Sequence, residues 1–363
     1  MAAFPTDVIT DILCMLPVKA LTRFRFVSKS WDSLIKDSNF AKLHLHRTFK
    51  TNNNVKLVLD TLTADDIDDD KAYSVDFNSL VNLEQLPRPF PSGRSGFSSR
   101  IFGSCNGLLA VYHVEAGIAL WNPSTRTCHY LPKLTMEDVV ERDHDVLGFG
   151  YDVFGDDYKV VQMKASGKSV MIYSLKTDSW KRIKDCPYQI PYGERQDCAY
   201  LNGSLHWVGD EKDRYFGGRL ILGLDLGVEE FLQVPEPDIS SRNFRYKNVG
   251  VLGGSLCVFR EYTNCYDEDH IILWVMKEYG VKESWTQLIY LSREECRLTN
   301  IFYTRAIAYC RRGDRILLDD GGQTAWFDLE KQTGRILSIA GAPRRFSAMI
   351  FVESLVSVVP IHH

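Results

Sequence analysis

No stretch of this chain approaches the roughly 20 consecutive apolar residues that a membrane-spanning helix needs. The N-terminus also lacks the basic segment and unbroken apolar run of a secretory signal. There is no surplus of positive charge either. Lys and Arg number 43 against 47 Asp and Glu, for a net charge of −4, so nothing draws the chain electrostatically to nucleic acid. The 9 cysteines are odd in number and scattered, and no two form a Cys-x-x-Cys pair. That argues against a zinc site or a disulfide framework and for reduced thiols in a cytoplasmic and/or nuclear protein. In such a compartment Asn202-Gly203-Ser204 and Arg312-Gly313-Asp314 read as turns, not as a glycan acceptor and an adhesion tripeptide.

Signatures of catalysis and cofactor binding are equally sparse. Gly167-Lys168-Ser169 ends like a phosphate-binding loop, but Gln162 stands five residues earlier where that loop needs glycine. The pair Gly148 and Gly150 lacks the third glycine of a dinucleotide fingerprint. Neither a Gly-x-Ser-x-Gly elbow nor a His-Glu-x-x-His helix occurs. His44 and His46, two residues apart, face different directions on a helix and make a poor metal pair. Asp65 to Asp70 lack the glycine and terminal glutamate of a calcium loop and read as a solvated connection. His206 beside Trp207 reads as a strand residue, and Arg344-Arg345 is too short for an import signal. The sequence therefore leads us to expect no catalytic residue, cofactor or metal.

What the chain does have, from Pro5 to Phe40, is more apolar surface than a helical unit of that size can bury. Pro5 and Thr6 mark a helix start, with Asp7 at the positive end of the helix dipole. Val8, Ile12 and Leu16 follow at i, i+4 spacing, and Ile9 and Leu13 line a neighbouring face. Pro17 ends the helix, and Leu21, Phe24, Trp31 and Ile35 recur as in a second one. Segments below about 40 residues rarely fold alone, so this surface needs a partner, either the rest of the chain or another protein.

At Pro5, Val8, Ile12, Leu16, Pro17, Val18, Leu21, Phe24, Arg25, Val27 and Lys29-Ser30-Trp31 the chain resembles the F-box. The stretch Leu16-Pro17-Val18-Lys19-Ala20-Leu21 is especially close to plant versions. The resemblance implies docking on a Skp-type linker subunit, and through it on cullin and ring-finger subunits. It assigns the linker surface to Pro5, Val8, Ile12, Leu16, Pro17, Val18, Leu21, Phe24, Val27 and Trp31.

After His46 short apolar runs alternate with Gly, Asn, Asp and Pro, a strand pattern. Tyr73, Trp121, Tyr173, Leu224, Trp274 and Trp326 lie 48, 52, 51, 50 and 52 residues apart, each opening a strand–turn–strand unit. Most units follow another turn-linked pair, as at Asn106-Gly107, Asn202-Gly203 and Gly253-Gly254, whose residues tolerate the positive φ of tight hairpins. Four strands per repeat of about fifty residues predicts a β-propeller of kelch-like blades, six of them. The first unit is one strand short, and Ser347 to Val352 can supply it and close the ring. Trp180 and Trp285 sit at similar turn exits, which predicts packing between blades. The expected fold is thus a small all-α F-box module (residues 1–47) followed by an all-β propeller (residues 48–363).

Residues Phe102 to Leu108, Trp121-Asn122-Pro123-Ser124-Thr125-Arg126, Gly148 to Asp152, Asp156 to Val161 and Gly203 to Trp207 resemble the F-box-associated interaction domain of plant F-box proteins. Taken together, the resemblances imply a non-catalytic substrate adaptor of a Skp–cullin–F-box ubiquitin ligase, holding an unidentified target protein for ubiquitination. They imply no nucleic-acid or membrane partner. Target recognition is expected on long connections, with Arg88 to Arg100, Thr135 to Asp145, Pro187 to Arg195, Gly209 to Gly218 and Pro235 to Lys247 as candidates. Two other readings stay open on the residues alone: a propeller lectin or enzyme with an incidental helical arm, and an F-box scaffold acting outside the ligase.

Overall fold

A computed structural model describes residues 5–61, 71–90, 99–134, 144–191, 198–211, 219–237, 244–262, 270–292 and 304–360. The chain opens with four helices, α1 (Thr6–Cys14), α2 (Val18–Phe24), α3 (Lys29–Lys36) and α4 (Ser38–Thr51). Pro5 precedes α1, and Pro17, with φ −61° and ψ 149°, is the N-cap of α2. The single second helix expected over Leu21 to Ile35 is in fact two. Phe26 and Val27 donate their N–H groups to Arg23 and Phe24 in tight closing turns. Ser28 is then extended (φ −157°), and its hydroxyl accepts the Trp31 N–H at 3.2 Å to cap α3. A side-chain N-cap of this kind competes with helix continuation and restarts the helix instead. Asp37 caps α4 in the same way through Asn39 N–H and Phe40 N–H at 2.9 and 3.0 Å. Helix α4 then runs on past His46 to Thr51 and stops at Asn52 in the left-handed region (φ 52°).

The strands form six four-stranded antiparallel sheets. The first contains β1 (Val55–Thr61), β2 (Ala72–Asp76) and β3 (Glu84–Leu86). The second is β4 (Ser99–Cys105), β5 (Leu108–His113), β6 (Gly117–Asn122) and β7 (Thr127–Tyr130), and the third β8 (Asp145–Asp152), β9 (Asp157–Lys164), β10 (Met171–Ser174) and β11 (Ser179–Arg182). The fourth is β12 (Ala199–Leu201), β13 (Ser204–Asp210), β14 (Arg219–Asp225) and β15 (Phe231–Val234). The fifth is β16 (Phe244–Leu252), β17 (Ser255–Tyr262), β18 (His270–Met276) and β19 (Trp285–Ser292). The sixth is β20 (Arg305–Tyr309), β21 (Arg315–Asp319), β22 (Thr324–Asp328) and β23 (Thr333–Leu337). The last strand, β24 (Phe346–Val352), returns to pair with β1 from Val55↔Val352 to Thr61↔Phe346. It is the strand missing from the first blade, and it closes the ring. The leading strands β4, β8, β12, β16, β20 and β24 each touch the next around the circle, which makes the six sheets a six-bladed propeller.

All six repeat centres, Tyr73, Trp121, Tyr173, Leu224, Trp274 and Trp326, fall on the third strand of their blade. Each faces an aliphatic residue of the second strand: Leu59, Leu109, Val160, Leu205, Val258 or Leu317. Trp180 and Trp285 stitch neighbouring blades, as expected. Their indole N–H groups donate to the carbonyls of Pro132 and Pro235, just beyond the last strand of the preceding blade, at 2.7 and 2.8 Å. The turns at Asn106-Gly107, Asn202-Gly203 and Gly253-Gly254 have positive φ at both positions, the geometry that matches strand twist. Asn202-Gly203 joins β12 to β13 and Arg312-Gly313-Asp314 lies between β20 and β21, so both tripeptides are turns. Cys14, Cys105, Cys128, Cys257 and Cys310 are free thiols, and among the described residues no helix is long and apolar enough to cross a membrane.

Antiparallel order gives the propeller two different ends. Turns from first to second and third to fourth strand emerge at one end, here called the turn face. Second-to-third connections and blade-to-blade crossings emerge at the other, the loop face. All five long connections singled out in the sequence leave from the loop face, although most of their residues, like the acidic run 65–70, lie outside the described residues. The helices sit on the turn face. Lys42 of α4 pairs with Asp156 in the β8–β9 turn at 2.5 Å, and Lys19 of α2 approaches Glu84 at the start of β3 at 3.7 Å.

Candidate functional site

The helical module has one small core and one unused apolar face. Leu13, Cys14, Leu21, Ile35 and Phe40 are buried together, with Ile9, Leu16, Phe24, Trp31 and Leu34 packed against them. Phe24 and Trp31 meet across the α2–α3 break, ring centres 5.6 Å apart. Asp32 braces the same junction, accepting from Arg25 at 2.8 Å and Lys36 at 2.7 Å. The bonds from Lys36 and then Arg25 hold its carboxyl below the usual carboxylate range.

His44 is buried where α4 passes the α1–α2 corner, and its Nε2–H donates to the Leu16 carbonyl at 2.9 Å. Burial lowers its pKa, so the ring is neutral and acts as a structural pin.

The ten residues assigned to the linker surface divide into three groups. Pro5, Val8, Ile12, Pro17 and Val27 are exposed. Leu16, Phe24 and Trp31 are half-buried and join the core cluster while keeping one edge outside. Val18 and Leu21, at 1% and 0% exposure, are wholly inside and present no surface in this chain. Two residues that spacing did not single out are open instead: Met15 at 60% and Phe26 at 92%. Met15 completes a stripe with Val8 and Ile12 at i, i+4, i+7 along α1. Phe26 projects from the α2–α3 break, which periodicity reads straight through.

The module does not sit loosely. Leu45 of α4 joins a propeller cluster that includes Phe102, Cys105, Leu108 and Phe149. Elsewhere in the propeller two polar clusters are held by internal hydrogen bonds. His206, which the sequence placed on a strand, lies buried on β13 between the Ala199 carbonyl (3.1 Å) and the Tyr279 hydroxyl (2.7 Å). Burial pulls its pKa down to about 4. Asp178 accepts from Tyr173 at 2.6 Å and from His129 at 2.9 Å, tying the second blade to the third. These groups spend their hydrogen bonds on the scaffold.

Comparison with known families finds the same two parts. The F-box domain matches residues 2–43, and the F-box associated beta propeller domain matches residues 46–358. The chain belongs to the F-box proteins with an F-box-associated propeller. It is similar to F-box protein CPR1 of Arabidopsis thaliana, at 32% identity over 98% of this chain and 89% of that protein. F-box protein At4g22390 of the same plant is 30% identical over 98% of this chain and 90% of its own length. F-box/kelch-repeat protein At3g23880, also from Arabidopsis thaliana, is 28% identical over 78% of each chain. The F-box proper thus ends within α4, and the propeller match begins at His46, in the same helix.

Proposed function

We propose that this F-box protein is a non-catalytic substrate adaptor of a Skp–cullin–F-box ubiquitin ligase, in the cytoplasm and/or nucleus. The observation that carries the reading is the apolar stripe Val8, Ile12 and Met15, left open on a module whose own core is already filled. Pro5, Pro17, Phe26, Val27 and the outer edges of Leu16, Phe24 and Trp31 extend the docking surface for the Skp-type linker. Val18 and Leu21 act from beneath, holding that surface in shape. The cullin and ring-finger subunits join through the linker.

The propeller presents its loop face away from the F-box, and the long connections there hold the target protein. The chain's contribution is proximity and orientation, which bring target lysines to the transfer centre supplied by other subunits. Size-exclusion chromatography of the chain with a plant Skp-type linker tests the reading. A stable one-to-one complex is expected, and a folded chain that never co-elutes with the linker contradicts it.

A further inference from the structure

Chain continues beyond the ring-closing strand, and residues 353–359 run between the two parts of the molecule. Glu353 N–H donates to the Asn54 carbonyl at 2.9 Å where α4 enters the first blade. Ser354 is wholly buried, and the next side chain, Leu355, is half-buried and packs against the core cluster of the F-box. Val356 and Val358 turn the other way, into the propeller cluster that also receives Leu45 of α4. Consecutive residues of one short segment therefore touch the core of the F-box and enter that of the propeller.

Two sequence motifs of the second blade converge on this segment. Asn122, fully buried at the end of β6, donates its amide to the Ser354 carbonyl at 3.1 Å and the Val356 carbonyl at 2.8 Å. Its own oxygen accepts from Ser124 N–H at 2.9 Å and Thr125 N–H at 3.3 Å. One side chain thus shapes the β6–β7 turn and grips the tail. Gly107 (φ +81°) lies against the same segment. A Cβ there would come within 2.1 Å of Ser354 Oγ and 2.5 Å of the Val352 carbonyl oxygen. Side chains so tightly enclosed have one arrangement open to them.

We propose that residues 353–359 are a positioning element that fixes the F-box on the turn face of the propeller, with Leu355 as its key and Asn122 as its clamp. The segment sets the direction in which a target on the loop face is held relative to the linker. This consequence rests on the adaptor reading; the fixed geometry of the free chain does not.

The test uses the full-length chain carrying Leu355→Asp or Asn122→Asp, with Leu355→Met as the conservative control. Asn122→Asp keeps the acceptor that shapes the turn and turns the donor facing the two carbonyls into an acceptor, and the β10 and β14 amides report whether the ring itself stays intact. Small-angle scattering of both Asp variants is expected to show a spread of F-box positions where the parent shows one. Hydrogen exchange of the α1–α3 amides is expected to rise about tenfold or more, with β10 and β14 amides unchanged. Leu355→Met should behave as the parent. Scattering and exchange identical to the parent in both Asp variants would overturn the proposal. The linker titration is a separate arm. A parent chain that ignores the linker rejects the adaptor reading, whereas unchanged geometry in variants of a linker-binding parent rejects the positioning element.

Discussion

The propeller and the F-box module solve the same problem, burying apolar surface, with unequal means. Each propeller blade has a neighbour on both sides, and β24 gives the first blade its neighbour across the seam. The F-box has only four short helices and one side resting on the propeller. Seven of the exposed large apolar residues, Val8, Ile12, Met15, Phe26, Val27, Leu43 and Phe49, fall within residues 5–51. The whole of the described propeller contributes ten: Val81, Val114, Tyr130, Val153, Phe154, Val228, Tyr279, Tyr290, Ile336 and Val359. The blades cover most of one another's apolar surface, whereas the F-box keeps an apolar stripe open beside a filled core, the mark of a docking surface.

The largest effect on this contrast should come from opening the ring. Ending the chain before Phe346 removes the seven-residue β24 together with the 353–359 tail, and leaves β1 as an open edge with Leu57 and Leu59 uncovered. Loss of the cooperative thermal transition and aggregation on size exclusion are expected. A soluble, cooperatively melting product would mean that closure is dispensable.

Within the F-box, Leu21→Ala should destabilise the module by about 2–4 kcal/mol, because the removed atoms leave a cavity in a core of few residues. Ile12→Ala, at a side chain 53% exposed, should change stability by no more than about 0.5 kcal/mol. Hydrogen exchange of the helices separates the two. Equal effects would show that the exposed stripe is part of the core.

A glycine pair sharpens the comparison of turns. Gly107→Ala meets both the left-handed backbone and the tail, and should cost about 2–3 kcal/mol. Gly254→Ala has a similar φ of +80° with nothing within 4 Å, and should cost about 1 kcal/mol. Chemical denaturation of both variants measures the difference, and equal losses would remove the tail contact from the explanation.

The last effect concerns pH and vanishes at neutrality. His44 in the F-box and His206 in the propeller are both held neutral by burial, with His206 pulled down to about 4. Above about pH 6.5 these rings are neutral in both folded and unfolded chains and add no pH dependence. Below it the unfolded chain takes up protons before the folded chain does, so stability falls with pH, and for His206 it goes on falling toward about 4. Melting curves of the parent and His206→Leu across this range should converge at low pH. Parallel curves would exclude His206 from the effect.

The blades were legible because the physics repeats. Six third strands place an aromatic or leucine against an aliphatic second strand, and the recurrence at a fixed period is itself the signal. Pro17, the Asn-Gly turns and the closing strand also carry local signals that sequence shows directly. The break at Arg25 to Ser28 was not legible, since Leu21, Phe24, Trp31 and Ile35 keep helical spacing across it. Nor was the end of α4, where Thr48 is buried and Phe49 exposed, so the amphipathic pattern runs backwards.

Periodicity likewise shows that α1 has two adjacent apolar stripes without showing which faces solvent. That is why Met15 and Phe26 were missed as exposed apolar residues and Val18 and Leu21 were placed at the surface. Asn122 and Gly107 stood out in family motifs, but the tail that gives them work lies more than 200 residues further along the chain.

The central claim is that the F-box stripe is a docking surface, and calorimetry against a plant Skp-type linker tests it most directly. The parent chain should bind one linker. An Ile12→Ala/Phe26→Ala double variant, folded by circular dichroism, should lose about 2 kcal/mol or more of binding free energy, roughly thirtyfold in affinity. Undiminished binding by the folded double variant would contradict the docking surface, and no binding by the folded parent would contradict the adaptor itself.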